Sequence, residues 1–276
     1  MKETFTLTIT EINNLLSFLV CDRGSNGGME DIVEYNMSFP RELERVKEKR
    51  IPTVICGGTV EYHGPHCSYG CDTLIAEGLI KKLAEKKELM IAPTIYYSPA
   101  SYAVADETSG TVHIEEDIFE AYLFSVFMNM LEAGLRNIYV VIHHQFEREN
   151  LMPMTLSYMK AAKRATMRYL EKTRGRGWWG NESFSNYYDN LGGNDDPFSW
   201  IKVIPTMSTE VQNATGYDHA GKYECSILMS LYPEAVKLER LGDINHWFTR
   251  SAKEASKELG GEMVRLSLEY LDKTIV

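Results

Sequence analysis

Three short stretches of the chain gather residue types that bind divalent metals and move protons. The first is Glu61-Tyr-His63-Gly-Pro-His66, followed by Gly70-Cys-Asp72. Carboxylate oxygens and imidazole nitrogens in this mixture suit Zn²⁺, Mn²⁺ or Fe²⁺. Glu61 and His63 can each face a different ion while Asp72 is shared between them, which is a two-metal arrangement. The competing reading is a polar loop whose Asp72 caps the next helix. The second stretch is His143-His144-Gln145-Phe146-Glu147, and the third is Asp218-His219-Ala220-Gly221 with Glu224-Cys225-Ser226 behind it. Of the seven histidines, five (His63, His66, His143, His144, His219) fall in these stretches; His113 and His246 read as structural.

Such groups act only if a scaffold brings them together, and the apolar pattern predicts a sheet flanked by helices. Ile51–Cys56 and Leu89–Ile95 read as buried strands, and Ile138–Ile142 is the clearest strand, running straight into His143. Ile201–Ile204 reads as another. Helical spacing marks 72–87, with Asp72 or Thr73 as cap, and the paired apolar residues from Ile118 to Leu131, with Gly134 ending that helix. Helices are also expected over 154–172, 222–231 and 250–272. Ligands of parallel α/β sheets collect where strands end and loops lead away, which is where the first two stretches lie.

From Gly175 to Pro197 the chain carries Trp178, Trp179, Phe184, Tyr187 and Tyr188 among glycines, asparagines and serines, without helix or strand period. A segment this long and aromatic is expected to line the substrate pocket, Trp178 above all, or to form a subunit contact that closes it. With 276 residues, 44 % apolar and 25 % charged, the chain fits one α/β domain over 38–276, with an insertion at about 175–200 and an N-terminal extension over 1–37. A net charge of −10 argues against nucleic acid as a partner. No apolar run is long enough for a membrane span, and no basic-then-apolar leader opens the chain, so a cytoplasmic location is expected. The five cysteines, Cys21, Cys56, Cys67, Cys71 and Cys225, read as reduced structural thiols rather than a disulfide framework or a zinc site.

Gly58-Thr-Val-Glu61-Tyr-His63-Gly-Pro-His66 with Gly70-Cys-Asp72-Thr73 resembles the signature of the creatininase family of metal-dependent amidohydrolases. Ser109-Gly-Thr111 is similar to the family's Pro-Gly-Thr, and His144 sits where the family has the histidine of its Asn-Gly-His step. His219-Ala-Gly221 and Glu224-Cys-Ser226 resemble its His-x-Gly and Glu-Thr-Ser. The resemblance implies a single three-layer α/β domain with a mostly parallel sheet. It implies two divalent ions per chain, Zn²⁺ or Mn²⁺ with Fe²⁺ as a third choice, held by Glu61, His63, Asp72 and His144, with Asp72 bridging. Glu224 either completes the shell or holds a ligand in place. His219 would handle a proton, and the members usually form closed homo-oligomers, often hexamers.

The departures count as well. Ile142-His143 replaces the family's Asn-Gly, making His143 an extra ligand, proton carrier or substrate contact beside Asp218. Creatinine hydrolases carry a metal-binding Glu two residues after the strand-end histidine; here that position is Phe146, with Glu147 next. Their Trp four residues before the later histidine is Thr215 here. The expected activity is therefore attack of metal-activated water on a carbonyl of a small, polar, cyclic substrate other than creatinine. Carbon–carbon cleavage of an oxidised cyclitol is the alternative, and a metal-binding protein without catalysis is the second.

Overall fold

In the computed structural model the described residues are 33–276, apart from 101, 105, 107, 145–152 and 192–195. Five strands form one sheet: β1 (Val33–Glu34), β2 (Thr53–Gly57), β3 (Met90–Ile95), β4 (Ile138–Ile142) and β5 (Ile201–Pro205). Their order is β1-β3-β2-β4-β5, and every pairing is parallel. After β2 the chain builds β3 on one side, then returns to place β4 on the other. The carboxyl ends of β2 and β4 thus flank the point where strand order reverses, the ligand-binding crevice of such sheets.

The helices are α1 (Pro40–Glu48), α2 (Cys71–Ala84), α3 (Glu116–Glu132), α4 (Pro153–Arg174), α5 (Thr209–Thr215), α6 (Lys222–Leu231) and α7 (Lys257–Thr274). Because side chains alternate along a strand, β2 sends Val54 and Cys56 to one face and Ile55 to the other. The first face packs on α2, α6 and α7, and the second on α3 and α4. Both faces of the central strands are covered, so β2 and β4 are buried throughout and apolar without interruption. The expected three-layer α/β architecture is what the chain adopts. No described helix is long and apolar enough to cross a membrane.

Several boundaries differ from expectation. Val33–Glu34 lies within the stretch expected as an extension, yet it pairs with β3; residues 1–32 lie outside the described residues. The helix expected over 250–272 is two elements. Arg250–Glu254 is a 3-10 turn, Ala255 is extended, and α7 restarts where the Ser256 hydroxyl accepts the Leu259 N–H. At α2 neither Asp72 nor Thr73 caps: the helix starts at Cys71 behind Gly70, with no side-chain cap. Asp72 is turned into the crevice instead, where the Thr59 hydroxyl donates to it. Gly58 permits this, since a Cβ there would meet the Thr73 backbone nitrogen at 2.5 Å.

Candidate metal centre

The loop after β2 brings Glu61 and His63 into the crevice, fully buried. It is strapped in place: Glu61 N–H donates to Tyr69 O at 3.0 Å, and Tyr62 N–H donates to the Thr111 hydroxyl at 2.9 Å. That second bond explains the Ser109-Gly110-Thr111 motif. Gly110 takes φ 77°, which L side chains rarely adopt, and a Cβ there would press on the Tyr69 side chain at 3.0 Å. The end of β4 supplies His143 and His144, and α6 supplies Glu224 from its first turn.

Asp72 lies at the centre of this group. Its Oδ2 is 3.2 Å from His144 Nδ1, and its Oδ1 is 3.6 Å from His63 Nε2. On the Oδ2 side, His144 Nδ1 is also 3.4 Å from Glu61 Oε1. On the Oδ1 side, His63 Nε2 is 3.4 Å from Glu224 Oε2, and His143 Nε2 is 3.5 Å from Glu224 Oε1. All of these gaps exceed the ~2.9–3.0 Å of an ordinary N–H···O bond. They match the edge of a tetrahedron of donors about 2.0–2.1 Å from one ion, roughly 3.3–3.4 Å. His63 Nε2 is buried and makes no hydrogen bond, while its Nδ1 is tied to the Glu61 carbonyl at 3.0 Å. A ring fixed at one nitrogen with the other left open is the usual state of a metal-binding imidazole. The residues present therefore fit two divalent ions, one on each side of Asp72.

The electrostatics agree. Burial would lower the pKa of His63, but Glu224 and Asp72 outweigh it and hold the ring well above its ordinary value. His144, opposed by burial in the same way, is raised by Glu61 and Asp72 to about 10. Burial would raise Asp72, yet His63 and His144 keep it well below the carboxylate range. Glu224 is depressed too, by His63 and by its contact with His143 against the effect of burial. Without ions, protons on the imidazoles balance the buried carboxylates.

The remaining predicted residues divide clearly. His219 directs Nε2 to the Tyr62 carbonyl at 3.1 Å, and its Nδ1 is 3.7 Å from Glu61 Oε1 on the cleft side. Asp218 lines the cleft, but its carboxylate accepts the N–H groups of Tyr223 (3.1 Å) and Glu224 (3.0 Å), so it holds the start of α6. Trp178 is absent from the lining of this cleft; it packs on Trp179, Phe184, Tyr187 and the Arg174 guanidinium. Glu147 and Phe146 lie outside the described residues. His66 contacts the Cys225 thiol, whose sulfur is 3.2 Å from that of Cys67. Cys56, Cys67, Cys71 and Cys225 are all free of disulfides, in keeping with the reduced-thiol reading.

A cleft of about 320 Å³ opens over Asp72, His143, His144, His219 and Glu224. Its outer wall is apolar and aromatic, with Tyr217, Trp247 and Phe248, and Trp247 is 78 % exposed. Sequence reasoning missed these residues, and Thr206 with them. Thr206 directly follows β5, so the strand-end rule could have pointed to it; nothing in the spacing marks Trp247.

The family model for creatininase, described as creatinine amidohydrolase, matches residues 36–271. A creatinine amidohydrolase of Pseudomonas putida is 23 % identical over 193 residues, spanning 67 % of this chain and 66 % of the relative. Among solved structures, a manganese creatininase superposes with a TM-score of 0.65 at 16 % identity, covering 88 % of this chain and 99 % of the other. A Zn-Zn form of a mutant creatininase gives 0.65 at 16 %, covering 89 % and 99 %.

Proposed function

The chain belongs to the creatininase family of hydrolases, and we propose that it is a two-metal amidohydrolase opening a small, polar, cyclic substrate other than creatinine. The observation that carries this reading is Asp72, whose two oxygens face two separate donor sets. Glu61, Asp72 and His144 would hold one ion, and His63, Asp72 and Glu224 the other. The manganese and Zn-Zn forms of similar creatininases support those two metals. Ions bound there supply Lewis acidity, polarising a carbonyl and lowering the pKa of water.

The chain's own groups do the rest. With Nε2 committed to Tyr62 O, His219 has Nδ1 available to pass a proton to the leaving nitrogen. Asp218 fixes the first turn of α6 and so the Glu224 carboxylate. Tyr217, Trp247 and Phe248 offer faces on which a flat ring can rest while water is excluded. They stand in for the tryptophan replaced by Thr215, whose hydroxyl turns back to the Val211 carbonyl. The amidohydrolase description of the family model and of the Pseudomonas putida relative supports a C–N over a C–C bond. It gives no support to binding without catalysis.

We also read the chain as a closed homo-oligomer, a hexamer by family resemblance, because Trp179 and Tyr188 are 55 % and 67 % exposed on the aromatic segment. The test of function is metal analysis of the purified protein, then a screen of lactams, N-formyl compounds and diketo-cyclitols. Turnover confined to diketo-cyclitols would replace the amide reading, and a metal-free active protein would end it.

A further inference from the structure

We infer that His143 is a ligand of the second ion, closing a four-donor set of His63, Asp72, Glu224 and His143, so that the first ion alone keeps an open position for substrate. The inference rests on the two-ion reading and deepens it. His143 could instead have turned into the cleft as a proton carrier or substrate contact. Its Nε2 lies 3.5 Å from Glu224 Oε1, and Glu224 Oε2 lies 3.4 Å from His63 Nε2. Both gaps are longer than ordinary hydrogen bonds, and the carboxylate faces His143 with one oxygen and His63 with the other, within reach of donors to one ion. Donor atoms of Asp72, His143 and Glu224 all fall within 4.8 Å of one another.

The ring is also held the way a ligand is held. Its Nδ1 meets the Thr206 hydroxyl at 2.7 Å, and donation there leaves the Nε2 lone pair free for the ion. The backbone is fixed as well, since His143 N–H donates to Gly57 O at 3.2 Å and continues the β2–β4 ladder past the last strand residue. A side chain tied at both ends of its reach is poorly suited to following a substrate.

The count of donors then separates the two ions. Four protein donors close a tetrahedral shell, whereas three leave the fourth position open. The first set, Glu61, Asp72 and His144, has three, and His219 Nδ1 lies 3.7 Å from Glu61 on that side. The open position and the proton-transfer group therefore share one side of the centre.

The experiment strips the protein of metal and reloads it with Zn²⁺, then with Co²⁺. Wild type should hold two ions per chain, each contributing the visible absorption of four-coordinate cobalt. His143→Ala should hold one ion and lose about half of that absorption. His143→Glu, which restores a donor, should regain the second ion. Thr206→Val should weaken the second ion about 10–100-fold and leave the first unchanged. Two ions in His143→Ala with wild-type affinity and spectrum would overturn the assignment while leaving the two-ion centre standing. A wild-type protein that never holds a second ion would overturn both.

Discussion

Ala220 donates its backbone N–H to Glu224 Oε2 at 2.6 Å while itself in the left-handed region, at φ 53°. The carboxylate of the proposed second donor set is thus aimed by a residue in a conformation that L side chains adopt at a cost of about 1–2 kcal/mol. Ala220→Gly should keep both ions and leave unfolding stability within about 1 kcal/mol of wild type. Ala220→Val, β-branched and fully buried, should lose roughly 1–3 kcal/mol in denaturant unfolding and weaken the second ion. Equal behaviour of the two variants in metal titration would separate Ala220 from the centre.

Asp72 offers one oxygen to each donor set. Asp72→Ala should therefore lose both ions by elemental analysis, not one, with the circular dichroism of the folded protein retained. Retention of either ion at wild-type affinity would show that the carboxylate does not bridge.

Metal-free protein should be sensitive to alkali. His144 titrates at about 10 in the fold against an ordinary 6.5, and His63 is raised as well. Groups raised on folding stabilise fully below the unfolded value and lose that contribution as pH climbs through the folded one. Stability should fall from about pH 6.5 to about pH 10. Asp72 and Glu224, depressed on folding, stabilise above the ordinary carboxylate value near 4 and lose this as pH falls through their lower folded values. Since ions need neutral imidazoles, loading at pH 7 should release protons. Calorimetry in two buffers of different protonation enthalpy reads this directly, and identical heats would contradict it.

His219→Asn should keep both ions and cost about 10²–10⁴-fold in kcat, the scale of a removed general acid or base. His219 lies beside the Glu61 carboxylate and the His63 ring but outside the two proposed donor sets, so its removal should spare metal affinity. Loss of an ion would move His219 into the coordination shell.

Trp178 and Trp179 belong to one aromatic cluster but face different tasks. Trp178 is buried and stacked under Arg174, so Trp178→Ala should lower the thermal midpoint. Trp179 is exposed, so Trp179→Ser with Tyr188→Ser should reduce oligomer mass in light scattering while metal content stays unchanged. Wild-type mass in the double variant would remove the segment from the subunit contact.

What the sequence revealed follows from what is encoded locally. Ile138–Ile142 was legible because a fully buried strand is apolar at every position, and 222–231 because its boundaries carry no competing signal. The break at Ala255 was not legible, since apolar spacing runs across it and only the Ser256 cap resets the helix. Asp72 was legible as a site residue, but its role as a cap was misread. A helix-start aspartate looks the same in sequence whether it turns to its own backbone or to Thr59. Thr206 and Trp247 were hidden because one acts through a ring 63 positions away and the other through exposure alone.

The parallel register has a consequence for how the proposed donor sets are gauged. Gly57 pairs with Ile142, and the ladder reaches His143, so the loops bearing both donor sets leave the sheet from a fixed gauge. Neighbouring strands lie about 4.7–4.9 Å apart, a gap that one ion can span with a donor from the loop of each strand. Each ion would be clasped across that gap, by Glu61 with His144 and by His63 with His143. The distance between the facing donors of each proposed ion is then inherited from the backbone pairing, and lengthening a distant loop leaves it intact. Inserting a single residue between Gly57 and Glu61 would instead shift one rail against the other and break both facing pairs.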